Sequence, residues 1–295
     1  MIILNEKSFA EQCLKNGMPD DVKPYRVLLI LAKYYSYTMG YKKKRIVKGL
    51  TQYIARNYPH YHFEEQKWNE AIEDMASNVK KYKYYEIDGV WVSKVEIDAI
   101  STIGNKVIEK LAFALLCIAK LNHIKNPNCN FWVYNDYKEL FKLARVSCAV
   151  GDRCKLIRQL YLGGYIELAK RVDDLSLRVT FASDKETYDK SGGDIFIDDF
   201  RELGYEYLYQ VKGEDFIRCG ECGILVRSNK KHSRKYCSKC VAYSPMRIKT
   251  IKCVDCGKEF SIMPFSRVVR CDECRLEHRR NTVKENVKRF RMENM

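Results

Sequence analysis

Acidic side chains are missing altogether from residues 223–254 of this 295-residue chain, while Arg227, Lys230, Lys231, Arg234, Lys235, Lys239, Arg247, Lys249 and Lys252 all fall there. So many cations without counter-charges cannot be buried in so short a segment, so they project into solvent or onto an anion. Histidine is scarce as well. His60, His62, His123, His232 and His278 do not cluster with acids as a metal-dependent nuclease would require. Gly163-Gly164 and Gly192-Gly193 lack the Lys-Ser or Lys-Thr of a phosphate-binding loop. With no paired-carboxylate site and no nucleophile beside a base, the expectation is a protein that is not an enzyme. Long hydrophobic runs are absent too: Leu111 to Ala119 is too short to cross a bilayer. Met1 to Leu4 is broken at once by Asn5, Glu6 and Lys7, so no secretory leader is expected. The expected setting is the cytoplasm, where thiols stay reduced.

What the chain does have is cysteine in register. Eight of its thirteen cysteines form two copies of one pattern, Cys219-x2-Cys222-x14-Cys237-x2-Cys240 and Cys253-x2-Cys256-x14-Cys271-x2-Cys274, repeating at 34 residues. Each C-x2-C turn presents two thiolates from one tight loop, and two such turns complete the tetrahedron that Zn²⁺ prefers. Four sulfurs per copy leave no open coordination position, so the two expected zinc ions are structural. The other reading of such pairs is a disulfide or thiol-redox framework, which favours a secreted chain or a thioredoxin-like βαβ unit. Ile217-Arg218-Cys219-Gly220-Glu221-Cys222-Gly223 matches Ile251-Lys252-Cys253-Val254-Asp255-Cys256-Gly257, and the closing glycine allows the turn to fold back through positive φ. Cys13, Cys117, Cys129, Cys148 and Cys154 lie mostly among apolar neighbours and are expected to pack as small hydrophobes.

On these residues the last quarter of the chain resembles the small four-cysteine zinc ribbons common in nucleic-acid-handling proteins, including many from phages and mobile elements. The formal charge of +15 points the same way. Eight thiolates and two Zn²⁺ together contribute −4 and leave +11, a surplus suited to a polyanion. Beyond the second ribbon, residues 275–295 read as a helix, with Leu276, Val283, Val287 and Phe290 on one stripe and Arg280, Lys284, Lys288 and Arg291 beside it.

Between Asn105 and Phe181 the pattern runs helix, short strand, helix, helix, hairpin. A helix near Lys106 to His123 carries Leu111, Leu115, Ile118 and Leu121. Phe131 to Tyr134 is a short strand, and Asp136 with Glu139 has capping-box spacing ahead of Leu140, Phe141 and Ala144. A third helix turns Leu156, Ile157, Leu160 and Tyr161 inward and ends at Gly163-Gly164. Residues 165–171 and 177–181 pair around Asp173-Asp174. This passage resembles the core of bacterial and phage winged helix-turn-helix regulators. The resemblance implies that the third helix enters the major groove and the wing touches the backbone. Ser147, Arg153, Lys155 and Arg158 are then candidate DNA contacts, with Lys170, Arg171 and Arg178 on the wing and Arg227, Lys230, Lys231, Arg234 and Lys235 on the first ribbon. Arg145 stands where that turn usually favours glycine, and Asp152 sits near the start of the reading helix.

The amino-terminal region echoes the plan. Residues 22–37, 43–57 and 64–82 read as helices, followed by a hairpin through Asp88-Gly89. Leu28 to Lys33 repeats Leu115 to Lys120 at an offset of 87, and Lys42, Lys43, Lys44 and Arg45 form a further basic patch. The many tyrosines are read mainly as packing residues.

The expected fold is mainly α with small β (α+β): winged-helix-like domains, in tandem if the repeat is real, then two four-cysteine zinc ribbons and a C-terminal helix. The expected order is a helical winged-helix-like domain over 1–95, a winged helix-turn-helix domain over 96–183, and a linker with a docking helix over 184–215. The ribbons follow over 216–248 and 249–276, and a basic helix over 277–295. The function implied is a zinc-containing nucleic-acid-binding protein, a transcriptional or replication regulator acting on double-stranded DNA with no membrane partner. The alternative is a protein-interaction adaptor that docks onto a polymerase or another effector.

Overall fold

A computed structural model describes residues 2–19, 21–170, 176–184, 188–228, 235–242, 249–262 and 268–293, with side chains at 242 and 287–293 left aside. The chain forms two compact units, 1–215 and 216–295. It is mostly helical, with small antiparallel sheets, as the α+β expectation requires.

The first unit begins with α1 (Glu6–Asn16), α2 (Pro24–Lys33), α3 (Lys43–Asn57) and α4 (Glu65–Asn78). Pro24 suits the first turn of α2, where its missing N–H costs nothing. Helix α2 does not run regularly to Tyr37. Residues Tyr34–Thr38 continue it as a π-helical turn. Ala10, Leu28, Leu31, Ile46, Leu50, Ile54, Ile72 and Met75 close the core of these helices.

Strand β1 (Val90–Val92) leads into α5 (Lys94–Ser101), whose start is fixed by a full capping box. The Ser93 side chain accepts from Glu96 N, and Glu96 accepts from Ser93 N. Helix α6 (Lys106–Lys125) is capped by Asn105 and buried on every side along its middle, from Leu111 to Leu121. A helix apolar all round belongs inside a core. Then come β2 (Trp132–Val133), α7 (Tyr137–Leu143), α8 (Val150–Leu162), β3 (Ile166–Leu168) and β4 (Leu177–Val179). Strands β2, β4 and β3 form one antiparallel sheet in that order.

Several local expectations change. The Asp88-Gly89 pair is not a hairpin turn: Val90, Trp91 and Val92 pair instead with Ile197, Phe196 and Ile195 of β5 (Ile195–Ile197), inside the stretch expected to be a linker. Gly89 is needed for closeness rather than for a turn, since a Cβ there would lie 2.5 Å from the Ile197 carbonyl oxygen. Asp136 caps α7 through Lys138 N, but Glu139 accepts from Asn135 rather than closing a capping box. Tyr161 is exposed, because only Ile157 and Leu160 of α8 reach the core and Leu156 is half-buried. Helix α9 (Leu203–Gln210) packs on α6, and a methyl group at Gly204 would overlap the Ala144 carbonyl at the end of α7.

The offset of 87 between α2 and α6 has a physical counterpart. Lys33 Nζ bonds Glu6 Oε1 at 2.6 Å and the Lys83 carbonyl at 3.0 Å, while Glu6 accepts from Tyr85 N. Lys120 Nζ bonds Glu96 at 2.8 and 2.9 Å and the Ser183 carbonyl at 3.0 Å, while Glu96 accepts from Ser183 N. In both copies a lysine from a central helix is neutralised by a glutamate from the preceding helix and tied to a later extended segment. Each ammonium also lies over a tyrosine ring, Tyr85 and Tyr188 respectively.

The second unit repeats itself. Strands β6 (Phe216–Arg218) and β7 (Leu225–Arg227) pair and are followed by α10 (Ser238–Ala242); β8 (Lys249–Lys252) and β9 (Glu259–Ile262) pair and are followed by α11 (Asp272–Glu293).

Candidate metal centres and nucleic-acid interface

Each cysteine quartet is assembled by the same local bonds. Cys219 N donates to Ile224 O and Gly223 N to Cys219 O; Cys253 N donates to Lys258 O and Gly257 N to Cys253 O. Gly223 and Gly257 have φ of 71° and 70°, the left-handed conformation that turns the chain back beneath the sulfurs. The second pair of sulfurs is brought in by Gly220 N to Lys235 O in one copy and Val254 N to Val269 O in the other. Cys237 N and Cys271 N point at the sulfurs of Cys219 and Cys253, at 3.2 and 3.4 Å.

The quartets Cys219, Cys222, Cys237, Cys240 and Cys253, Cys256, Cys271, Cys274 each hold their sulfurs within 4.8 Å of one another. Cys222 lies 3.7 Å from Cys237, and Cys256 lies 3.7 Å from Cys271. A tetrahedron with Zn–S bonds of about 2.3 Å has edges of about 3.8 Å, so these sulfurs stand at the separation that one zinc ion imposes. None of the thirteen cysteines is joined in a disulfide. Each quartet can hold one zinc ion with four sulfurs and no open position.

The electrostatics agree. Burial opposes ionisation of Cys219, but the backbone N–H groups of Cys222 and Cys237 outweigh it and bring the thiol down to about 6. The Cys256 N–H is the leading cause for Cys253, which also falls to about 6. Burial and then the neighbouring Cys237 sulfur push Cys240 up, and the sulfurs of Cys256 and Cys271 do the same to Cys274. Four thiolates so close cannot all carry charge unaided, whereas a divalent cation among them favours the fully ionised set.

The candidate nucleic-acid residues are more dispersed in character. On α8, Lys155 and Arg158 are exposed, and Lys155 bonds Asp152 at 2.8 Å. Arg153 is half-buried with its guanidinium over the Phe141 ring, and its Nε is a buried donor without a partner. Ser147 is exposed just before α8, and Lys170 is exposed after β3. Arg178 on β4 is held across the sheet by Glu167 at 3.0 Å and by the Asn130 carbonyl. Arg227 and Lys235 are exposed on the first cysteine unit, with Arg227 over the Phe216 ring. Arg171, Lys230, Lys231 and Arg234 lie outside the described residues. Val287 and Phe290, half of the expected apolar stripe, lie among the side chains left aside, and Leu276 and Val283 of that stripe are exposed.

The turn between α7 and α8 explains the unusual Arg145. It takes φ of 51°, and its guanidinium pairs with Glu202 while Lys110 Nζ donates to its carbonyl. The ion pair and the lysine hold a non-glycine residue in a conformation glycine would adopt freely. This support comes from α6 and the approach to α9, more than thirty residues away on each side, so local pattern did not reveal it.

Among the described residues no helix is long and apolar enough to cross a membrane. Compared with protein-family models, curated proteins and solved structures, the chain finds no match in any of the three.

Proposed function

We propose that this chain is a nucleic-acid-binding regulator of the winged-helix type, stabilised by two structural zinc ions and acting on double-stranded DNA by positioning rather than by catalysis. The observation that carries the reading is the element order α6-β2-α7-α8-β3-β4 with sheet order β2-β4-β3, which leaves one flank of α8, with Lys155 and Arg158, exposed. The formal charge of +15, which eight thiolates and two Zn²⁺ reduce to +11, supplies the phosphate attraction. The cations of the first cysteine unit add contacts that do not depend on base sequence.

The test is a salt titration of the zinc-loaded chain against random duplex, single-stranded DNA and RNA of equal length. Duplex preference with a steep fall of affinity with salt is expected. Affinity that stays flat from low to moderate salt overturns the electrostatic mechanism.

One observation favours a second reading, a protein-docking adaptor. Val150 and Leu162, at the two ends of α8, are 73% and 70% exposed, and Leu168 of β3 is exposed as well. An adaptor would bind duplex no more weakly after Lys155→Ala, Arg158→Ala, Arg227→Ala and Lys235→Ala are combined, whereas the DNA reader would lose affinity for every sequence.

A further inference from the structure

The longest acid-free stretch of the chain is not in the cysteine-rich region. Residues 22–63 contain no Asp or Glu, and the run Lys42-Lys43-Lys44-Arg45 sits inside them. Lys43, Lys44 and Arg45 open α3 with no acid in its first turn and no side-chain cap at Lys42. Cations there are set against the positive end of the helix dipole, which costs the free protein stability.

Tertiary structure adds a second run to the first. Helices α3 and α4 form a hairpin, and Lys43 Nζ bonds Glu73 Oε2 at 2.9 Å, placing the start of α3 beside the end of α4. The chain leaving α4 carries Lys80, Lys81 and Lys83. It is fastened to the turn before α3 by Tyr37, whose hydroxyl donates to Tyr82 O at 3.0 Å and whose ring stacks on Tyr84 at 5.6 Å. Lys42, Lys44, Lys80, Lys81 and Lys83 are all exposed, and none has an ionic partner among the described residues. Arg45 is exposed and braced over the Tyr41 ring at 3.8 Å. Lys43 is the member of the basic run neutralised by a carboxylate.

We infer that this end of the α3–α4 hairpin is a phosphate-backbone docking surface, built from Lys42, Lys44, Arg45, Lys80, Lys81 and Lys83, that anchors a nucleic-acid duplex independently of base sequence. It rests on the nucleic-acid reading and adds a second contact face, far in sequence from α8 and from the cysteine units. Like charges gathered on one rigid end repel each other in the free protein and are relieved by a polyanion. Lys44 and Arg45 on α3, and Lys80, Lys81 and Lys83 on the chain that Tyr37 fastens beside it, offer several cations at one end of the hairpin to the successive phosphates of a duplex.

The test uses the full zinc-loaded chain with Lys42→Ala, Lys44→Ala, Lys80→Ala and Lys81→Ala combined, beside a Lys155→Ala/Arg158→Ala chain. Binding to random 30-base-pair duplex and to vesicles of phosphatidylcholine with phosphatidylserine is measured across a salt series. The quadruple variant is expected to bind duplex on the order of tenfold or more weakly at moderate salt. Its log–log salt slope should be shallower by about 3.6, near 0.9 for each of the four lost phosphate contacts. Its melting temperature should be equal or higher, the opposite of what loss of a structural contact gives. An unchanged slope in a variant whose parent binds duplex overturns the docking surface and leaves the nucleic-acid reading intact. A parent that binds no duplex overturns both. Loss confined to vesicles assigns the surface to anionic lipid and refutes the inference.

Discussion

Replacing Lys120 by methionine tests the reasoning about the first unit most sharply. Glu96 is 1% exposed and Lys120 5%, so neither charge is relieved by water. The carboxylate takes the ammonium through both oxygens, at 2.8 and 2.9 Å, together with Ser93 N at 2.7 Å and Ser183 N at 2.8 Å. Methionine fills much of the lysine volume but leaves the carboxylate uncompensated, and removing one partner of a buried pair costs about 3–5 kcal/mol. The backbone donors that remain place the cost toward the lower end of that range. For a unit of this size each kcal/mol moves the midpoint by about 2–4 °C, so the first thermal transition should fall by roughly 6–15 °C. Adding Glu96→Gln should recover part of this loss, because the second substitution removes the stranded charge. Calorimetry of the zinc-loaded chain measures both. A fall below about 2 °C for Lys120→Met, or a double variant weaker than the single one by the full additive amount, refutes the account of the pair.

Zinc analysis of the purified chain should return two ions, and Cys219→Ser or Cys253→Ser should each remove one while leaving the first unit's transition in place, since each quartet closes only local loops. Full metal content in either variant contradicts the four-sulfur sites. Gly204→Ala should destabilise the first unit by about 3 kcal/mol or more, as its methyl meets the Ala144 backbone rather than a movable side chain; chemical denaturation reads the loss. Burial pushes the Cys13 thiol up from 9.0 to about 11, so its neutral form is favoured in the fold. The stability this confers is complete below pH 9 and is lost as pH rises from 9 through 11. Cys13→Ala should therefore flatten the alkaline limb of the stability profile over that window, and an unaltered limb would exclude Cys13 as its source.

What was legible in the sequence was what nearby residues decide. The cysteine quartets could be read because a C-x2-C turn, its closing glycine and a second turn fourteen residues on need only local backbone bonds to bring four sulfurs together. Helices α3, α6 and α8 were legible from apolar periodicity, and the strand order after α6 from alternation and turns. Helix α1 was missed because its short, strongly polar stretch has only Ala10 and Cys13 turned fully inward, too few for a periodic signal.

What only the tertiary structure decided depends on partners far along the chain. Alternation around Asp88-Gly89 specified a strand at Val90–Val92 but not its mate, because backbone hydrogen bonds carry no address; β5 arrived from about a hundred residues away. The repeat between α2 and α6 looked in sequence like two similar amphipathic helices, and packing turned Lys33 and Lys120 into equivalent buried ion pairs. The same distance effect joined Lys42, Lys44 and Arg45 to Lys80, Lys81 and Lys83. Charge is written residue by residue, but the field it makes depends on which helix ends the fold places side by side.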